Sequence, residues 1–110
     1  MSRVFIPQVP SRFDSRLNTW LPTVNVDHAK KFGDINIMLP PEASRLETPS
    51  IVAALKRMMA DFGPDDYVVA LGDPMIIAIA SVLAERAAGA LRLLRWDRNT
   101  REYIAIEVTL

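Results

Sequence analysis

The stretch that decides the fold is Tyr67-Val68-Val69-Ala70-Leu71-Gly72-Asp73-Pro74, where an apolar run gives way to a turn and the start of a helix. Five apolar residues without alternation predict a central β-strand, because both faces of such a strand must be covered. Asp73 is a typical N-cap residue, and proline is favoured at the first helical position. The stretch therefore predicts an interior strand over 67–71, followed by a helix over 74–88 that ends before Gly89.

A second unit of the same kind precedes this one. The short apolar run Ile35-Asn36-Ile37-Met38-Leu39 lies between turn residues and predicts a strand. Apolar residues then recur at helical spacing from Ile51 to Phe62, after Thr48-Pro49 as N-cap and first helical proline. Two strand-helix-strand units in succession, from 35–39 to 67–71 and on to 91–96, predict crossover connections and parallel pairing.

The C-terminal residues predict an antiparallel hairpin. Strands over 91–96 and 102–108 flank the polar loop Asp97-Arg98-Asn99-Thr100, in which Asn99 is able to adopt a positive φ. On the second strand, alternation predicts that Ile104 faces the core and Tyr103 the opposite side. The chain is therefore predicted to be an α/β protein with a small mixed sheet of four to five strands. The sheet combines two parallel β-α-β units with the antiparallel hairpin, and there are two main helices.

Prolines interrupt the first forty residues and disfavour long helices there. Arg3 to Gln8 is predicted to be a strand at the edge of the sheet, since proline in a strand favours an edge. Asp27 to Phe32 predicts one or two helical turns with Asp27 as cap and Gly33 as stop. We interpret residues 1–110 as a single α/β domain with an irregular, proline-rich N-terminal part.

Composition excludes several classes of function. The lack of cysteine excludes disulfides, thiolate nucleophiles and thiolate metal sites. The 4 glycines do not have the spacing of a phosphate loop or a dinucleotide fingerprint. His28 is the only histidine, and no Gly-x-Ser-x-Gly motif accompanies a serine, so neither a histidine-rich metal site nor a nucleophile elbow is indicated. The sequence predicts no catalytic residue, no metal site and no cofactor.

Charge and hydropathy indicate where the protein acts. The 13 basic and 13 acidic residues cancel, so any contact with nucleic acid has to be local. No apolar run approaches the ~20 residues that a membrane span needs, and Pro7 interrupts the N-terminus before a signal-peptide core forms. We therefore expect a soluble, cytoplasmic protein without a membrane partner.

A candidate ligand site lies at the strand-to-helix turn. Gly72 would allow close approach to the backbone, and ligands of open α/β sheets gather beyond the carboxyl ends of the strands. Glu42, which follows the other parallel strand, would converge with Asp73 there, and two carboxylates could hold Mg²⁺ or share a proton. The alternative is structural, because capping alone explains Asp73 and a carboxylate at the cap discourages a phosphate.

A candidate nucleic-acid site lies on the hairpin. Arg95, Arg98 and Arg101 are grouped around the turn beside Trp96, and arginine beside an aromatic ring suits base stacking and phosphate contact. The alternative is a solvated hairpin whose charges protect a sheet edge from pairing.

The amount of apolar surface favours self-association. Half of the chain is apolar, and the helix over 74–88 is apolar nearly all round, which exceeds what one small core readily covers. A symmetric homodimer through this helix or through the C-terminal strand is the expected assembly.

The chain also resembles a known group of proteins. The run 66–74, the alanine- and isoleucine-rich helix after it, and Leu93-Leu94-Arg95-Trp96-Asp97-Arg98 with Tyr103 are similar to small accessory proteins encoded by tailed bacteriophages. The resemblance implies a phage origin and action inside the bacterial host, and it transfers no activity and no functional residue.

The sequence leaves three hypotheses. The first is a non-enzymatic interaction or regulatory module, homodimeric, that binds a host or phage protein. The second is a nucleic-acid-binding accessory protein that uses the terminal hairpin. The third is a small phosphate-ester or nucleotide enzyme that acts at Gly72, Asp73 and Glu42.

Overall fold

The computed structural model describes residues 2–110 and confirms the α/β architecture. Seven strands and two α-helices are found in this part of the chain. In chain order they are β1 (Arg3–Gln8), β2 (Ser11–Asp14), β3 (Thr19–Pro22), β4 (Asp34–Leu39), α1 (Thr48–Met58), β5 (Tyr67–Val69), α2 (Pro74–Ala88), β6 (Leu91–Asp97) and β7 (Glu102–Val108). A first 3-10 helix (Asp27–Phe32) precedes β4, and a second (Pro41–Arg45) follows it.

The main sheet is mixed and has five strands in the order β4-β1-β5-β6-β7. The first four in this order are parallel, and β7 is antiparallel to β6. The middle position of β5 confirms the interior strand predicted from the apolar run, although the strand ends at Val69. Since β5 is shorter than predicted, Leu71 belongs to the turn that leads into α2.

The prediction that Arg3–Gln8 forms an edge strand was wrong, because β1 lies between β4 and β5. Pro7 suggested an edge, but the register with β5 ends at Phe5 and the register with β4 passes over Pro7. Neither ladder includes the proline, so its missing N–H is tolerated inside the sheet. Val4 and Ile6 are fully buried, as expected of a central strand.

The two predicted β-α-β units are present, with β1 inserted between the strands of the first. The chain runs from β4 through α1 to β5, passing over β1, and then through α2 to β6. From β1 the chain thus continues to β4 on one side of the sheet, and from β5 it continues to β6 on the other side. In doubly wound sheets the crevice where such connections part is the usual place for a ligand.

The sheet is covered on both faces. On one face α1 and α2 bury Phe5 and Val68 of the sheet together with helix residues such as Ile51, Leu55 and Ile76. On the other face the first 3-10 helix places Ala29 against Val4, Ile6, Val69 and Leu94. Each valine, leucine, isoleucine or phenylalanine side chain buried in this way contributes about 1.5–3 kcal/mol.

Capping signals were interpreted correctly for α2 and incorrectly for α1. The carboxylate of Asp73 accepts a hydrogen bond from the Met75 amide at 2.9 Å, and Gly89 ends α2 with φ 81°. Thr48 is instead the first residue of α1, and its hydroxyl donates to Met75 Sδ at 3.7 Å. Asp27 likewise lies within its 3-10 helix, where Val26 occupies the cap position.

The structure corrects two details of the hairpins. The N-terminal part contains a second, two-stranded sheet of β2 and β3, which sequence reasoning missed, and Phe13 contacts Trp20 across it. In the β6–β7 loop, Arg101 rather than Asn99 adopts the positive φ, at 54°. Tyr103 is also buried, so the side of β7 opposite Ile104 is covered.

Candidate functional site

Gln8 connects the loops at the carboxyl edge of the sheet. Its side chain is buried, and its Nε2 donates to the carbonyl oxygens of Pro40 and Pro41, each at 3.0 Å. Its Oε1 accepts from the Asp73 amide at 2.9 Å. Gly72 has φ 117°, and a Cβ at this position would lie 2.7 Å from Gln8 Cβ. Gly72 is therefore needed for the turn to pass over Gln8, whether or not a ligand binds.

The turn residues Gly72 and Asp73 line a small cavity of about 280 Å³ between β1 and the second 3-10 helix. Two amides at the start of α2 are already used, since Asp73 N donates to Gln8 and Met75 N donates to Asp73. Glu42 is exposed and does not line this cavity, whereas its neighbour Pro41 does. The structure thus brings Gly72 and Asp73 together and leaves Glu42 apart from them. No group of three or more acidic or histidine side chains within residues 2–110 could hold a metal ion.

A larger cavity of about 470 Å³, the Trp96 cavity, opens beyond the carboxyl ends of β5 and β6. Its walls are mainly apolar and aromatic and include Leu71, Trp96 and Tyr103. Polar groups from three separate segments stand around it: Asn25 from the loop after β3, His28 from the first 3-10 helix, and Arg98 and Arg101 from the β6–β7 loop. The cavity has the size and composition of small-molecule pockets, which are mostly apolar with a few placed polar groups.

Three of the four predicted nucleic-acid residues meet in the Trp96 cavity. Trp96, Arg98 and Arg101 line it, but Arg95 does not. Arg95 pairs with Ile104 and points to the face that α1 and α2 cover, because neighbouring strand residues alternate between faces. The expected cluster of three arginines is therefore divided between the two faces of the sheet.

Sequence reasoning did not place His28 or Tyr103 at the Trp96 cavity. The His28 ring lies 5.7 Å from the Trp96 ring, and the Tyr103 ring lies 5.0 Å from it in an edge-to-face arrangement. Tyr103 pairs with Trp96 in the register of the hairpin, and that pairing was the available signal. Nothing in the sequence places His28, which is 68 residues before Trp96, over the same hairpin.

The two arginines of the Trp96 cavity have no acidic partner among the residues that the structure describes. Arg98 and Arg101 are exposed, and neither forms an ion pair with any residue that the structure describes. Asp97, the acidic residue next to Arg98 in sequence, accepts a hydrogen bond from the Asn99 amide at 2.8 Å. Burial raises the pKa of the Tyr103 phenol, so Tyr103 is a neutral hydroxyl at neutral pH.

At the opposite, amino edge of the sheet, the buried carboxylate of Asp66 forms an ion pair with the partly exposed Arg3, which the sequence did not indicate. Asp66 is 3% exposed, and its carboxylate accepts from the Arg3 amide, the Arg3 guanidinium and the Gly63 amide at 2.8–2.9 Å. Burial alone would raise the pKa of Asp66, but the hydrogen bonds from Arg3 and Gly63 outweigh it and hold the pKa below its usual value. This pair ties β1 to the start of β5 and has a structural role.

The helical face carries the third notable surface, the α1–α2 groove. It has a volume of about 340 Å³ and is lined by Val52 and Lys56 of α1 and by Ala78, Ile79, Val82, Leu83 and Arg86 of α2. Val82 is 52% exposed in the middle of α2. Val82 is thus an exposed aliphatic side chain within a groove whose other residues are mainly apolar.

The chain matches a protein family along almost its whole length. A family model described as phage Pam3 gp32-like protein matches residues 2–110. The match confirms the resemblance to small phage-encoded proteins. Neither a curated protein nor a solved structure matches the chain. None of the helices in residues 2–110 combines the length and the apolar character that crossing a membrane requires.

Proposed function

The chain belongs to the phage Pam3 gp32-like protein family, and from this premise we propose that it is a non-enzymatic accessory module that acts as a homodimer. In this proposal the dimer binds a host or phage protein in the bacterial cytoplasm. The observation that carries the proposal is the exposure of Val82 between the half-buried Ile79 and Leu83 in the α1–α2 groove. A second copy of the same groove would cover these residues.

The sequence of α2 supports a two-fold pairing centred on Val82. If two copies of α2 pack antiparallel, the residue four positions before Val82 in one copy meets the residue four positions after it in the other. These residues are Ala78 and Arg86. The small alanine leaves room for the long arginine side chain, and no like charges of the two α2 helices are opposed. The net charge of +0 also means that two copies do not repel each other as whole molecules.

The geometry gives less support to the other two hypotheses. A phosphate-ester or nucleotide enzyme at Gly72, Asp73 and Glu42 would need free amides at the start of α2, and the amides of Asp73 and Met75 are already hydrogen-bonded. A nucleic-acid groove along the hairpin would need Arg95 on the same face as Trp96, and Arg95 lies on the other face. The interaction module is the hypothesis that does not require either arrangement.

Sedimentation equilibrium tests the dimer. We expect a dimer for the unchanged protein and a monomer for Val82→Glu, because a two-fold pairing centred on position 82 would bring two carboxylates together in an apolar interface. Leu17→Glu is the matched control, since Leu17 is an exposed leucine in the β2–β3 turn, away from α2. Glutamate has a better helix propensity than valine, so Val82→Glu keeps the exposed helix intact. A monomeric unchanged protein, or a dimer that persists in Val82→Glu, would contradict the proposal.

Affinity capture from an infected bacterial host tests the partner. We expect one or more proteins to co-purify with the unchanged protein and with Leu17→Glu at comparable yield, identified by mass spectrometry. Loss of these proteins with Val82→Glu would show that partner binding depends on the dimer. If nothing is enriched over an untagged lysate, the partner part of the proposal is wrong.

A further inference from the structure

The Trp96 cavity lies on the face of the sheet opposite the α1–α2 groove, so a ligand bound in it would not touch the proposed dimer interface. Trp96 belongs to the side covered by the first 3-10 helix, and α2 covers the other side. A volume of about 470 Å³ is enough for a small ligand that carries one aromatic ring system. The cavity also opens beyond the carboxyl ends of β5 and β6.

The walls of the cavity are suited to a planar ring. Trp96, Tyr103 and His28 form a continuous aromatic group with centroid distances of 5.0 and 5.7 Å. Trp96 is half-buried, so part of its ring surface faces the cavity. Stacking of a nucleobase on such a ring contributes about 1–3 kcal/mol.

The mouth of the cavity is suited to an anion. Arg98 and Arg101 lie on one loop, both line the cavity, and neither is paired with a carboxylate within residues 2–110. A guanidinium binds a phosphate with two parallel hydrogen bonds, which are about twice as strong as hydrogen bonds between neutral groups.

The backbone of Arg101 is a second sign that its side chain is needed here. Arg101 has φ 54°, in the left-handed region that favours glycine or asparagine. Placing arginine there costs about 1 kcal/mol or more relative to glycine, and the residue that bears this cost is a cation lining the cavity.

The Tyr103 hydroxyl gives the cavity a polar group in addition to the two arginines. Tyr103 is almost completely buried and lines the cavity. No hydrogen bond to its hydroxyl is found within residues 2–110. In these residues, every side-chain polar atom that is sealed from solvent has a hydrogen-bond partner. The hydroxyl is therefore accessible from the cavity and available to a polar edge of a ligand.

We propose that the Trp96 cavity binds a mononucleotide-type ligand, that is, a planar aromatic base joined to a single phosphate. The base stacks in the group formed by Trp96, Tyr103 and His28, and the phosphate is bound by Arg98 and Arg101. No reaction is assigned to this site. The ligand is a bound small molecule that the protein recognises.

Isothermal titration calorimetry with adenosine 5′-monophosphate tests the proposal, with adenosine and ribose 5-phosphate as the two halves of the probe. We expect the nucleotide to bind at least about tenfold more tightly than either half, because each half loses one set of contacts worth about 1.4 kcal/mol or more. The double variant Arg98→Ala/Arg101→Gly should weaken nucleotide binding by at least about tenfold. Arg95→Ala is the matched control and should leave binding unchanged, since Arg95 lies on the other face of β6.

Thermal unfolding separates loss of binding from loss of folding. The double variant should unfold at the same temperature as the unchanged protein or higher, because glycine relieves the left-handed backbone at Arg101. Val82→Glu should retain nucleotide binding, so failure of the dimer does not affect this proposal.

Four outcomes would overturn the nucleotide site. They are the absence of heat at millimolar nucleotide, equal affinity for ribose 5-phosphate and the nucleotide, unchanged binding in the double variant, and binding of single-stranded oligothymidine at least about 100-fold more tightly than the nucleotide. The last outcome would assign the cavity to nucleic acid instead.

Discussion

The amino and carboxyl ends of the parallel strands use the same residue types in opposite ways. At the amino end, Arg3 and Arg92 are both held by the protein itself. The Arg3 guanidinium donates to Asp66 and Asp61, while Arg92 donates to the Pro64 carbonyl and the Tyr67 hydroxyl and lies 4.2 Å from the Tyr67 ring centroid. At the carboxyl end, Arg98 and Arg101 line a cavity with no carboxylate partner in the part of the chain that the structure describes.

This difference separates charges that stabilise the fold from charges that are available to a ligand. A charge whose hydrogen bonds are all made within the protein costs stability when it is removed, because its partner is left buried. A charge held at a cavity without a partner costs little or nothing when it is removed. Changes at the two ends should therefore have effects of different size and, for Arg101, of opposite sign.

The largest effect is expected at Asp66. Asp66→Ala removes the buried carboxylate that accepts from the Arg3 and Gly63 amides, and it leaves the Arg3 guanidinium with Asp61 as its acceptor. We expect a loss of about 3 kcal/mol in the free energy of unfolding, measured by urea denaturation. Asp65→Ala is the control, because Asp65 is exposed and its ion pair with Arg92 is long, at 4.0 Å. This variant should lose no more than about 0.5 kcal/mol in the free energy of unfolding. Equal stability of the two variants would show that the hydrogen bonds of Asp66 at the amino end do not stabilise the fold.

A smaller loss is expected at Gly72, which tests whether the carboxyl end has a structural requirement of its own. Gly72→Ala combines a left-handed φ of 117° with a Cβ 2.7 Å from Gln8 Cβ, and we expect it to cost about 2 kcal/mol or more. Gly89→Ala, at φ 81° with nothing within 4 Å, should cost about 1 kcal/mol from the backbone alone. If both variants lose the same stability in urea, the contact with Gln8 does not constrain the turn.

Helix α2 and strand β1 show how far the sequence predicts the fold. The helix α2 was predicted correctly at both ends because its signals are local: Asp73 caps it, Pro74 begins it and Gly89 ends it. The position of β1 was predicted wrongly because strand order depends on partners far away in the chain. The nearest partner of β1 in sequence, β4, begins at Asp34.

The same limit applies to the candidate site. Arg98, Arg101 and Trp96 were found because they lie close together in sequence, on one hairpin. Arg95 was grouped with them around the turn, although the alternation of strand residues places it on the face opposite Trp96. His28 and Gln8 could not be placed, because each acts through contacts with segments that are more than thirty residues away along the chain.

The pH dependence of stability should follow the carboxyl group of Asp66, at the amino end of the sheet. Burial would raise the pKa of Asp66, but the hydrogen bonds from Arg3 and Gly63 lower it below the value of about 3.9 found in an unfolded chain. A folded pKa below the unfolded one stabilises above the unfolded pKa, and this stabilisation is lost as the pH falls through the folded value. We expect the stability difference between the unchanged protein and Asp66→Asn to be constant from pH 7 to 5 and to shrink below about pH 4. A constant difference down to pH 2.5 would contradict a lowered pKa.

The smallest effect, and the only gain, is expected at Arg101. Arg101→Gly removes a side chain that has no ion pair within residues 2–110 and relieves a backbone φ of 54°. The relief exceeds the added entropy of glycine in the unfolded chain, so the free energy of unfolding should rise by about 0.5 to 1 kcal/mol. Arg3→Gly at the amino end should be strongly destabilising, since it leaves Asp66 buried without its guanidinium. Loss of stability in Arg101→Gly would place Arg101 with the structural charges of the amino end, and the left-handed arginine would then serve the fold and not a ligand.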